Sequence, residues 1–206
     1  MNYSEWLKCV FERQDDKECL FDSLTINNYL LRLCQESQNL YPKYSFEQLD
    51  KGTWFAFGVV SGYWHDAIDK NVPDEKRVNL YQSLFTYYEN VFQKYCTHFY
   101  GHQDWGPEKP NPLNSSCYMF WDMDTKECPA YKGDVLLTNE IFNLLERILD
   151  IESPACQESA LHGLGHLIDD HKERATSIIE RYLKNEKPKT KDLEKYAKEC
   201  VIGLMQ

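Results

Sequence analysis

The segment QESALHGLGHLIDD, Gln157 to Asp170, carries two overlapping messages. Ala160, Leu161, Leu164, Leu167 and Ile168 recur at helical spacing and form one apolar side. Glu158, His162 and His166 follow one another at i, i+4 and i+8. With Asp169 they occupy a sector roughly 80° wide, at about 100° per residue, almost directly opposite the apolar side. The spacing therefore predicts a stacking helix whose polar stripe faces away from its hairpin partner, toward water or another protein. The same stripe has a second reading as a metal site of Glu158, His162 and His166, because imidazole and carboxylate groups one turn apart suit zinc or iron.

The flanks extend the helical pattern. Ser153 followed by Pro154 is a cap with proline in the first turn. The final third reads as four helices, Leu137 to Ile151, Pro154 to Asp170, Lys172 to Asn185 and Lys191 to Gln206, which make two helical hairpins in tandem. Thr190 caps the last of them, and Leu193, Tyr196, Ala197, Cys200, Val201 and Leu204 form its apolar seam. Glu173 extends the polar line of Glu158, His162, His166 and Asp169 beyond its own helix.

Toward the N-terminus, Ser4 is positioned to cap a short helix bearing Trp6, Leu7, Val10 and Phe11, and a second helix covers Ile26 to Ser37. Ser45 with Gln48 makes a capping box that opens a region ending near Asp69, divided at Gly52. Arg77 to Tyr100 keeps the i, i+3, i+4 rhythm of one long helix. The stretch from Gly101 to Asp134 is expected as an irregular, proline- and aromatic-rich region with a short helix from Leu113 to Met123. No segment alternates like a strand.

QESALHGLGHLID, KECVIGLMQ and TWFAFGVVSGYWHDAID share small or apolar residues around a glycine, each on the second helix of a hairpin. Self-similarity at a period of roughly 35–45 residues marks an α-solenoid. The Gln157–Asp170 segment resembles the HEAT-like repeats of phycobilin lyases and related proteins, with Ala160, Leu164 and Gly165 in the small-residue and Leu-Gly positions. The resemblance implies a single all-α domain over residues 1–206, a short α-solenoid of HEAT-like hairpins with about nine or ten helices and no significant sheet. HEAT-like proteins include scaffolds, inhibitors, lyases and deoxyhypusine hydroxylase, which binds iron through His-Glu doublets. This chain has no His-Glu pair and carries Gln157-Glu158 at that place, so the resemblance does not imply the hydroxylase activity.

Composition narrows the function classes. A formal charge of −10 argues against nucleic acid, since phosphate contacts require concentrated Lys and Arg. No run approaches the roughly 20 apolar residues of a membrane span, and the start MNYSEWLKCVFERQDD lacks the pattern of a signal peptide. A cytoplasmic location with reduced cysteines is expected; bridges between Cys117 and Cys128 or between Cys9 and Cys19 are the alternative pairings. Cys34, Cys156 and Cys200 lie in helical patterns, as small buried hydrophobes do.

Other clusters are weaker. Cys96, His98, His102 and Cys117 have zinc-ligand chemistry without a common structural-zinc spacing. Asp15-Asp16 and Asp122-x-Asp124 lack the remaining ligands of a calcium loop. Trp105 and the segment Tyr118-Met119-Phe120-Trp121-Asp122 read as interaction anchors or as core beneath a loop. Hydrolase and phosphate-binding motifs are missing. The expected function is thus a non-catalytic scaffold, of immunity or inhibitor type, that binds a basic protein partner through Trp105, Glu158, His162, His166, Asp169 and Glu173 without a cofactor. The alternative is a metal- or tetrapyrrole-binding HEAT-like enzyme built on Glu158, His162 and His166.

Overall fold

The computed structural model describes residues 1–12, 20–98, 100–102, 111–123, 128–187 and 189–203. Five of its helices begin where a short polar side chain takes over an orphan backbone N–H group, whereas Ser153 makes no such bond at the start of its helix and Pro154 follows it directly. Asn2 accepts from Glu5 N at the start of α1 (Tyr3–Phe11) and Glu5 reaches back to Asn2 N, so the cap is Asn2 and not Ser4. Asp22 caps α2 (Ser23–Gln35) through Thr25 N. Ser45 and Gln48 form the expected reciprocal capping box of α3 (Phe46–Phe57).

The region after α3 divides later than the sequence suggests. The break lies between Gly58 and Gly62, whose φ of 70° turns the chain into α4 (Tyr63–Ala67). Gly52 stays inside α3, where the Phe11 ring fills the space a side chain would need. The long helix begins at α5 (Asp74–Tyr87), widens into a π-helical turn over Tyr88–Phe92 and ends with α6 (Gln93–Tyr95), short of Tyr100. In the widened stretch two successive side chains serve different helices. The Tyr87 hydroxyl meets Thr53 Oγ1 of α3 at 2.6 Å. The Tyr88 hydroxyl meets Ser159 Oγ at 2.9 Å.

The helices α7 (Leu113–Tyr118), α8 (Val135–Leu149), α9 (Pro154–His166), α10 (Ile168–Lys184) and α11 (Lys191–Val201) complete the chain. A 3-10 turn, Met119–Asp122, follows α7 directly. Asp134 caps α8 and Thr190 caps α11. His171 leaves helical geometry and kinks α10, which separates its first turn from the rest near the boundary expected between Asp170 and Lys172. Among the described residues the regular structure is all helical, without strand, and no helix is long and apolar enough to cross a membrane.

The helices pack as two series of neighbours. One runs α1, α3, α7, α9, α11; the other runs α2, α5, α8, α10. The pairs α8–α9 and α10–α11 also pack together. A continuous apolar core runs from Tyr3 to Cys200. Cys34, Cys156 and Cys200 lie buried in it as free thiols, as expected of cysteines on apolar helix faces. Cys117 is also a free thiol, so the Cys117–Cys128 bridge is not formed; its neighbouring sulfurs are those of Cys96 and Cys156. Cys19, and with it the Cys9–Cys19 alternative, lies outside the described residues.

Candidate metal centre

α9 is the most enclosed helix of the chain. It packs against α8, α7 and its following 3-10 turn, α10 and α11, and every residue from Ala155 to Gly165 is buried. This overturns the expected exposed ridge. Glu158 is 1% and His162 5% exposed, because α7, the 3-10 turn and α11 cover the side opposite the α8 hairpin contact. Asp169 and Glu173, in contrast, are exposed on α10. Trp105 lies outside the described residues.

Small residues in α9 decide what can approach it. At Gly163 a Cβ would lie 2.7 Å from Trp121 Cγ, so only glycine admits the Trp121 ring at this distance. That approach brings the next residue, Asp122, onto the helix. Its Oδ2 lies 2.6 Å from His162 Nε2 and its Oδ1 2.8 Å from His166 Nε2. The two histidine Nε2 atoms are 3.2 Å apart. Asp122, His162 and His166 thus turn one ligand atom each toward a common point, all within 4.8 Å of one another. The His162 side chain is 7% exposed, but those of Asp122 and His166 are 23% and 27% exposed, so the cluster is closed on one side and reached by solvent on the other.

The contacts of this triangle can be served in two ways, by protons or by a cation. If both Nε2 atoms are protonated, each donates to Asp122, and two donors then face each other at 3.2 Å. If one Nε2 is unprotonated, it can accept from the other Nε2–H or from a protonated Asp122. A cation at the centre would instead accept one lone pair from each of the three groups. Burial raises the Asp122 carboxyl, but the hydrogen bonds and charges of His162 and His166 outweigh it and hold Asp122 far below the ordinary carboxylate range.

Glu158 serves a different purpose from the one its spacing suggests. Its Oε2 accepts from Gly101 N at 2.9 Å, and its Oε1 accepts from His102 N at 3.1 Å and lies 2.5 Å from the His102 Nδ1. Glu158 therefore clips the chain at Gly101 and His102 onto α9. The Cys96, His98, His102 and Cys117 grouping is not assembled: His102 turns to Glu158, His98 is exposed, and Cys117 lies against Ala155 O. His162 Nδ1 is 2.7 Å from the Tyr196 hydroxyl, and the Tyr118 ring lies 4.4 Å from the His162 ring.

Sequence reasoning selected His162 and His166, and the structure brings them together. It missed Asp122, which stood in an aromatic segment forty positions away, and Tyr196, which was counted as one member of an apolar seam. The only signal for Asp122 was an acid among residues otherwise suited to a core.

The chain matches no protein-family model, no curated protein and no solved structure.

Proposed function

We propose that this protein binds one divalent transition-metal ion through His162 Nε2, His166 Nε2 and the Asp122 carboxylate. The observation that carries the reading is the convergence of one ligand atom from each group, all within 4.8 Å of one another, at an edge that solvent reaches. Two imidazole nitrogens and one carboxylate suit zinc or ferrous iron better than calcium or magnesium, which prefer all-oxygen shells. Donors about 2.0–2.1 Å from a tetrahedral ion stand about 3.3 Å from one another, so the observed separations of 2.6, 2.8 and 3.2 Å would have to open, the shortest by about 0.7 Å, to admit the ion.

Three protein ligands leave at least one position for water or a substrate, the arrangement of catalytic rather than structural zinc. The half-open edge at Asp122 and His166 supports this metalloenzyme reading. Compared with the ligand set expected from sequence, Asp122 takes the place of Glu158.

For the architecture we favour a short α-solenoid of HEAT-like hairpins. The two series of neighbouring helices and the stacking of the α8–α9 and α10–α11 pairs support it. The second functional reading, a scaffold for a basic protein partner, is favoured by the −10 charge and by exposed Asp169 and Glu173, adjacent in sequence to the site. The buried thiols of Cys34, Cys117, Cys156 and Cys200 support a reducing, cytoplasmic setting.

The test is metal analysis of protein prepared without a histidine tag, stripped and reloaded with zinc or, without oxygen, ferrous iron. About one ion per chain is expected, with binding weakened roughly 100-fold or more in Asp122→Ala, His162→Ala and His166→Ala. A wild-type chain that retains neither metal in stoichiometric amount sinks the proposal.

A further inference from the structure

Tyr196 sits in the apolar seam of α11, but its hydroxyl has polar company. The oxygen is 2.7 Å from His162 Nδ1 and 3.3 Å from the Tyr118 hydroxyl. Its ring lies parallel to the His102 imidazole, with centroids 4.3 Å apart and planes 10° from each other. Glu158 fixes His102 in turn through two backbone N–H groups and the ring. The phenol is therefore clamped on its face by His102 and aimed at its tip into the back of His162.

An imidazole that ligates a metal through Nε2 carries its proton on Nδ1, and that proton needs an acceptor. The phenol oxygen of Tyr196 is placed to be that acceptor, with its own proton directed toward Tyr118. We propose that Tyr196 is the positioning residue of the metal centre: it selects the Nδ1–H tautomer of His162, keeps Nε2 turned toward Asp122 and His166, and couples metal binding to the seating of α11 on α9. This inference rests on the metal reading above. Without the hydroxyl, the Nε2–H tautomer competes, and its proton points at the place the ion must occupy.

Tyr196→Phe retains the ring and the His102 stack and removes only the acceptor. Three measurements apply: zinc affinity by competition with a chromophoric chelator, the His162 tautomer by long-range proton–nitrogen NMR of the zinc-loaded protein, and amide exchange in α11 with and without zinc. The wild type is expected to show a slowly exchanging His162 Nδ1 proton and zinc-dependent protection of α11. Tyr196→Phe is expected to lose both and to bind zinc roughly 10–100-fold more weakly. Tyr118→Phe, which leaves the acceptor in place, is expected to keep the wild-type affinity within about threefold.

Unchanged zinc affinity in Tyr196→Phe overturns the inference while leaving the metal site standing. An equal loss in Tyr118→Phe also overturns it, since packing rather than the acceptor would then be responsible. Should Tyr196→Phe fail to fold, the wild-type spectrum decides: a zinc-loaded protein without the His162 Nδ1 proton overturns the assignment. A wild type that binds no zinc and no iron removes the metal reading itself, a result separate from all of these.

Discussion

Trp121 packs directly on the backbone of Gly163: a methyl group there would fall 2.7 Å from the indole Cγ and 2.9 Å from Leu145 Cδ2. In an open helix, Gly→Ala stabilises by about 1 kcal/mol. Here the added methyl overpacks the contact, at a cost of about 1–3 kcal/mol. Gly163→Ala is expected to lower the urea midpoint and, by displacing Asp122, to weaken zinc binding. A variant as stable as the wild type with unchanged affinity shows that the close approach does not set the Asp122 position.

Glu158 separates the two ligand sets. Glu158→Gln removes the charge that holds Gly101 N, His102 N and the His102 ring, a loss of about 1.5–3 kcal/mol for a buried, charged acceptor. Because Asp122 supplies the carboxylate, zinc affinity should stay within about threefold of wild type. A drop as large as that of His162→Ala would return Glu158 to the ligand set.

A second test lies far from the site. Arg77 is buried, donates to Ile68 O at 2.8 Å and pairs with Asp74 and with Asp134, which also caps α8. Burial opposes the charge on Asp134, but the Leu137 N–H and the Arg77 guanidinium outweigh it and lower its carboxyl below the ordinary 3.8. A depressed folded-state value means that this stabilisation is complete above about pH 4 and is lost as pH falls further, through the lowered value. Asp134→Asn keeps the cap and breaks the ion pair, so a loss of about 3 kcal/mol is expected at pH 7. The gap to wild type should close below about pH 4 in urea titrations. A gap independent of pH would assign the loss to packing.

The buried thiols give a chemical readout. Burial pushes Cys34 and Cys200 up to about 12, and Cys117 and Cys156 well above the ordinary thiol value. The thiolate is the reactive form. At pH 8 these four are expected to resist a disulfide reagent in the native protein and to react on unfolding in guanidinium. Mass mapping of the adducts checks this, and fast native labelling of Cys117 would contradict its burial.

What the sequence made legible followed from local chemistry. The Ser45–Gln48 box, the Thr190 cap and the Ser153-Pro154 start are each written within a few positions, and the apolar stripes of α8 and α11 repeat for several turns. Long-range enclosure was not legible. Helical spacing placed Glu158, His162 and His166 on one side of α9, but not α7 and α11 against that side. Ala160, Leu164 and Gly165 read as the repeat-type stacking positions; the small residue that matters is Gly163, which admits Trp121 and with it the missing carboxylate. The π turn was equally invisible, because its apolar residues satisfy an ordinary helical rhythm on either side.

That turn has a consequence for the lengths the chain can tolerate. A π turn carries one more residue than the α turn it replaces, and where it begins adjacent Tyr87 and Tyr88 reach Thr53 on α3 and Ser159 on α9. A residue added to or removed from a regular α-helix swings everything beyond it by about 100°, whereas the widened turn takes up its extra residue within one turn. The stretch works as a vernier between the N-terminal and C-terminal helices, taking up one residue of length without turning the faces on either side.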